Sequence, residues 1–106
     1  MLKVTFTEKG RKLSLRLEGH AGYAEHGNDI VCASASILAY TLASIVGSLD
    51  DVKANIEIAS GDSLIECECE SDETFNKVLD AFHYTQTGYT LLARHNPQYV
   101  RLYALT

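Results

Sequence analysis

Leu2, Val4 and Phe6 alternate with Lys3, Thr5 and Thr7, and Leu13, Leu15 and Leu17 repeat the alternation against Ser14, Arg16 and Glu18. A period of two puts each set on its own face of an extended chain, so two half-buried strands are predicted. Between them Glu8-Lys9-Gly10-Arg11 supplies a turn, with Gly10 able to take the positive φ that a tight connection often needs. The alternation then stops from Gly19 to Asp29, where Gly19, Gly22 and Gly27 leave the backbone free to bend, and a flexible loop is expected.

A helix follows this loop. Asn28 or Asp29 can cap it, Ile30, Leu38, Leu42, Ile45 and Val46 lie along it among many Ala and Ser, and Gly47 is placed to end it. The small residues would let that helix sit close to a sheet. Val52, Ala54, Ile56 and Ile58 alternate with Lys53, Asn55 and Glu57, and Ser60-Gly61-Asp62 turns the chain into Ser63 to Glu70, which predicts a second hairpin.

Ser71, with Asp72 and Glu73 behind it, offers a hydroxyl cap and first-turn carboxylates to a second helix. Phe75, Val78, Phe82, Tyr89 and Leu92 form its apolar stripe, Thr85 is the polar member, and Gly88 is a local weakness. Arg94 and His95 suit the last turn, Pro97 stops it, and Tyr99 to Ala104 gives a closing strand. The order ββαββαβ predicts a two-layer α+β domain, with two helices on one face of a mixed or largely antiparallel sheet. Periodicity leaves the strand order open.

Length changes this picture only by bounding it: 106 residues fit one domain spanning 1–106, because two cores would each be too small to hide enough apolar surface. Hydrophobic residues at 46% and charged residues at 22% are ordinary for a folded domain. The alternating start does not read as a signal peptide. The longest apolar stretch, Ile30 to Val46, is interrupted by Ser34, Ser36, Thr41 and Ser44, so no membrane span is expected and a cytoplasmic protein is. Three cysteines without a disulfide-framework spacing fit a reducing compartment.

The net charge of −5, with only nine Lys and Arg, disfavours a nucleic-acid backbone as partner and favours encounter with a basic polypeptide.

The chemistry concentrates in Gly19-His20-Ala21-Gly22-Tyr23-Ala24-Glu25-His26-Gly27-Asn28-Asp29-Ile30-Val31-Cys32-Ala33-Ser34. A histidine stands at a strand end, and a cysteine stands in the first turn of a helix. There a thiol faces unpaired amides and the positive dipole end, both of which favour the nucleophilic thiolate. Amides around Cys32 also offer an oxyanion hole. His20 as imidazolium would stabilise the thiolate and later protonate a leaving amine. Asp29 suits capping or orientation of His20 better than contact with sulfur, because a bare carboxylate there would disfavour the thiolate. Read without chemistry, Cys32 beside Val31, Ala33 and Ala35 is also compatible with plain core packing.

Gly19-His20-Ala21-Gly22-Tyr23-Ala24 followed by Asp29-Ile30-Val31-Cys32-Ala33 resembles the signature of the bacterial ribosomal-processing cysteine protease family, often called Prp. Chain length, element order and the Asn96-Pro97-Gln98-Tyr99-Val100 ending share the resemblance. It implies a protease that removes a short N-terminal extension from large-subunit ribosomal protein twenty-seven. It also implies a homodimer, Cys32 as nucleophile and His20 as its acid and base. Gly19, Asp29 and Ser36 match motif positions and are expected to support loop geometry, capping or His orientation, and a hydroxyl one helical turn beyond the thiol. His26 and Asn28 fall at variable loop positions. No cofactor is required.

The rival reading is a non-catalytic, ribosome-associated module that binds a basic peptide. Cys67 and Cys69 share a strand face with Ile65, which explains them as core and not as metal ligands. Tyr23 is either a loop anchor or a substrate-contacting ring.

Overall fold

A computed structural model describes residues 1–25 and 27–105. Its elements are β1 (Leu2–Lys9), β2 (Lys12–Glu18), α1 (Ile30–Gly47), β3 (Val52–Ala59), β4 (Asp62–Cys69), α2 (Asp72–His95) and β5 (Val100–Tyr103), in the predicted ββαββαβ order. Gly10 takes φ +61° in the β1–β2 turn and Gly61 takes φ +81° in the β3–β4 turn, so both tight connections use the conformation that glycine alone adopts cheaply.

The five strands form one mixed sheet in the order β3-β4-β2-β1-β5. β1 runs antiparallel to β2, β2 to β4 and β4 to β3, while β5 lies parallel to β1. Register aligns Phe6, Leu15, Ile65 and Ile56 in one row across the sheet. Because side chains alternate along each strand, the row shares its face with Val4, Leu13, Leu17 and Cys67, all buried. Both helices contribute to the core above that face. Phe6 meets Phe82 and Tyr89 edge-on, with ring centroids 6.2 and 5.9 Å apart, and the Tyr89 hydroxyl donates to the Ala35 carbonyl of α1 at 2.7 Å.

α1 buries Val31, Ala35, Ala39, Leu42, Ala43 and Val46, while Ile30, Ile37, Tyr40 and Ile45 are exposed. Small side chains thus occupy the close approach, and several larger ones point outward. The helix is also long and apolar enough to cross a membrane, with 18 residues at a mean hydropathy of 1.9, so the reading of Ile30 to Val46 as interrupted is corrected. The physical reason is local: Ser34 and Thr41 donate back to the carbonyls of Ile30 and Ile37, each at 2.7 Å, so their hydroxyls do not break the run. In this fold the helix packs on the sheet and on α2.

Register also fixes what stands beside the end of β2. Glu18 pairs with Asp62, so the β3–β4 turn lies next to the chain as it leaves the sheet toward His20.

Candidate active site

A cleft of about 700 Å³ opens where the end of β2, the first turns of α1 and the β3–β4 turn converge. Its walls include Gly19, His20, Asp29, Cys32, Ser36 and Gly61. The sequence-derived pair, His20 and Cys32, is therefore brought to one cavity by two consecutive elements, β2 and α1, while the third wall comes from the distant β3–β4 turn. His20 is exposed and Cys32 partly buried. The backbone joins their neighbourhoods, because the amide of Ala21, directly after His20, donates to Cys32 Sγ at 3.4 Å.

Asp29 is the N-cap of α1. Its Oδ1 accepts from the amides of Val31 and Cys32, both at 3.0 Å. Its Oδ2 accepts from Tyr23 N at 3.0 Å and Ala24 N at 3.4 Å, so one carboxylate ties the glycine-rich loop to the helix start. Burial pushes the Asp29 carboxyl up, but the amides of Cys32, Ala24 and Tyr23, helped by a hydrogen bond with the Cys32 side chain, outweigh it and leave it below the usual carboxylate value.

One expectation is corrected by this geometry. The amides of Val31 and Cys32 are not unpaired donors facing the sulfur or an oxyanion, because the cap already engages them. Asp29 acts as the expected cap, its carboxylate accepting from four backbone amides.

The other predicted residues fall as follows. Gly19 takes φ +85°, and a Cβ there would lie 2.7 Å from the Met1 carbonyl oxygen, so no larger residue fits without movement. Ser36 lines the cleft one turn after Cys32. Gly22 and Gly27 line it too, with φ of +74° and +93°. The Tyr23 ring packs edge-on against Tyr99 at 5.3 Å, and its amide is held by Asp29, which is the arrangement of a loop anchor. Asn28 donates its amide to the Glu25 carbonyl at 2.9 Å within the loop. His26 lies outside the described residues. Cys67 and Cys69 are buried in the core, and burial pushes the Cys67 thiol up to about 12.

Sequence reasoning missed the β3–β4 turn, from which Ala59, Ser60, Gly61, Asp62 and Ser63 complete the cleft. Periodicity marked it only as a turn, and its place depends on the long-range pairing of β2 with β4.

Comparison with known proteins agrees with this fold. The chain superimposes on the ribosomal processing protease Prp of S. aureus solved with a covalently linked product peptide, with a TM-score of 0.80 at 21% identity over 97% of this chain and 98% of that one. A second structure of the S. aureus protease, with a substrate peptide, gives a TM-score of 0.71 at 19% identity over 96% and 97% of the two chains. SMU.848 from Streptococcus mutans is similar at 30% identity, with a TM-score of 0.70 over 97% of this chain and 92% of its own. No curated protein sequence matches the chain. The family described as cysteine protease Prp matches residues 1–101, and the chain belongs to that family of cysteine proteases.

Proposed function

We propose that this cysteine protease removes a short N-terminal extension from large-subunit ribosomal protein twenty-seven, in the cytoplasm and as a homodimer, with Cys32 as nucleophile and His20 as its acid and base. The observation that carries the reading is the shared cleft, in which the amide following His20 donates to Cys32 Sγ at 3.4 Å. Similarity to a protease described as ribosomal processing, and solved with peptides, supports the choice of a ribosomal protein as substrate.

In this mechanism the Cys32 thiolate attacks the scissile carbonyl carbon, forming a C–S bond and a tetrahedral oxyanion. Collapse of that intermediate breaks the C–N bond, and the departing amine takes a proton from the His20 imidazolium. Water then adds to the thioester, neutral His20 accepts its proton, and the C–S bond breaks to release the new carboxylate and restore the thiolate. An amide already aimed at the sulfur supports the first step, because an ionised acceptor strengthens such a bond. The loop from Gly22 to Gly27 admits the peptide and closes over it.

The test is cleavage of the extended ribosomal protein followed by mass. Wild type is expected to yield the shortened product, and Cys32→Ala and His20→Ala to leave the precursor intact. Cleavage by all three would remove the reading.

A further inference from the structure

We infer that the β3–β4 turn sets the position of the His20 imidazole, and that Gly61 at its tip is a positioning residue for the reaction. The inference rests on the proposed role of His20 and extends it to a residue distant along the chain, in a different hairpin.

Three observations lead to Gly61. A Cβ placed there would lie 3.0 Å from His20 Nε2, 3.4 Å from Cε1 and 3.8 Å from Cδ2, so the ring stands beside the turn with no room for a side chain between them. The Gly61 carbonyl accepts from the Gly19 amide at 2.9 Å, which ties the turn to the residue that precedes His20. The turn is itself braced: the Ser63 hydroxyl donates to the Ala59 carbonyl at 3.1 Å and accepts from the Ala59 amide at 3.3 Å. Arg16 pairs with Asp62 at 3.2 Å on its flank. A turn bonded to the backbone beside His20, with its tip next to the ring, restricts where the imidazole can stand. Proton transfer depends on that placement, because rate falls steeply with small displacements of a reacting group.

A methyl group at position 61 has two effects that must be separated. It strains a φ of +81°, and it pushes the ring by a few tenths of an ångström. Gly10 supplies the control, since it has φ +61°, nothing within 4 Å of where a Cβ would stand, and a place in the β1–β2 turn outside the cleft. Gly10→Ala therefore carries the strain without the push.

The experiment compares kcat, KM and the pH profile of kcat for wild type, Gly10→Ala, Gly61→Ala and His20→Ala on the precursor peptide. Gly61→Ala is expected to lower kcat about tenfold with little change in KM and with a displaced pH profile. Gly10→Ala is expected to lose stability but keep the wild-type kcat and profile. Equal kcat and matching profiles for the two alanine variants would overturn the inference. Wild-type turnover by His20→Ala would instead overturn the underlying role of the histidine, so the two failures are distinct. Should Gly61→Ala not fold, nuclear Overhauser contacts between the Gly61 α-protons and the His20 ring protons in the wild-type protein decide the matter: they are expected, and their absence overturns the inference.

Discussion

Asp29 holds the amide of Cys32 at 3.0 Å with one carboxylate oxygen while the other oxygen holds the loop through Tyr23. Helix start and loop are therefore one electrostatic unit, and the residue that positions the thiol also closes the segment in front of it. Removing the carboxylate leaves one buried and three part-buried amide donors without their acceptor, which costs more than an ordinary exposed cap. Asp29→Ala is expected to lower unfolding free energy by about 2 kcal/mol or more, read by urea denaturation, and to raise KM by loosening the loop. A loss well under that figure would show that the loop finds other acceptors.

The same carboxylate sets a pH dependence. Its folded-state pKa lies below the reference value of 3.8, so its contribution is present above that value and is lost as pH falls through the lower, folded-state pKa. Acid unfolding of Asp29→Asn is expected to be less steep than that of wild type across this window. Superimposable acid-unfolding profiles would contradict the assignment.

Cysteine accessibility separates the three thiols. Cys32 is partly exposed, whereas Cys67 and Cys69 retain only 1% and 3% of their accessible surface. Iodoacetamide at about pH 7.5, below the ordinary thiol value, is expected to modify Cys32 alone in the native protein and all three after denaturation. Native modification of Cys67, whose burial also resists ionisation, would place β4 differently from the core position described.

Tyr89 ties the two helices together one turn beyond the thiol, through its hydroxyl bond to Ala35. Tyr89→Phe keeps the ring packing against Phe6 and deletes one buried hydrogen bond, so a loss of about 1 kcal/mol is expected with catalysis largely retained. A large fall in kcat at unchanged stability would contradict a purely structural role for this contact.

Loop closure gives a further expectation. Gly22 and Gly27 both take positive φ with open space where a Cβ would stand, so alanine at both strains the backbone without a clash. The double variant is expected to turn over several-fold more slowly, measured on the precursor peptide. Unchanged kinetics would count against a moving loop.

Strands, helices and their order were legible because their signals are local. Alternation marked Leu2 to Thr7 and Leu13 to Leu17, and Asp29 and Ser71 marked the helix starts they do cap. What failed to show depended on contacts across the chain. The insertion of β4 between β2 and β3 depends on register chosen by packing, and it is this insertion that carries Gly61 to His20. α1 is apolar on most sides, so hydrophobicity could not say which side is buried; Val31, Leu42 and Val46 face inward with Ala35 and Ala39, while Ile37 faces outward. Gly88 reads as a flaw in a helix, yet a Cβ there would lie 2.6 Å from a methyl carbon of Leu38, so the glycine is the notch that receives α1. In the site, residue types made His20 and Cys32 candidates and the family resemblance gave them their expected roles; the structure sets both in one cleft. The second half of the Asp29 cap, its Oδ2 accepting from the amides of Tyr23 and Ala24, depended on loop geometry that spacing does not encode.

The proposed nucleophile is tested most directly by catching the covalent intermediate. Wild-type protein mixed with the precursor peptide, quenched in acid within the first turnover and digested, is expected to carry the acyl fragment as a thioester on Cys32. Cys32→Ala is expected to carry none and to cleave nothing. An acyl group found on another residue, or undiminished cleavage by Cys32→Ala, would contradict the account.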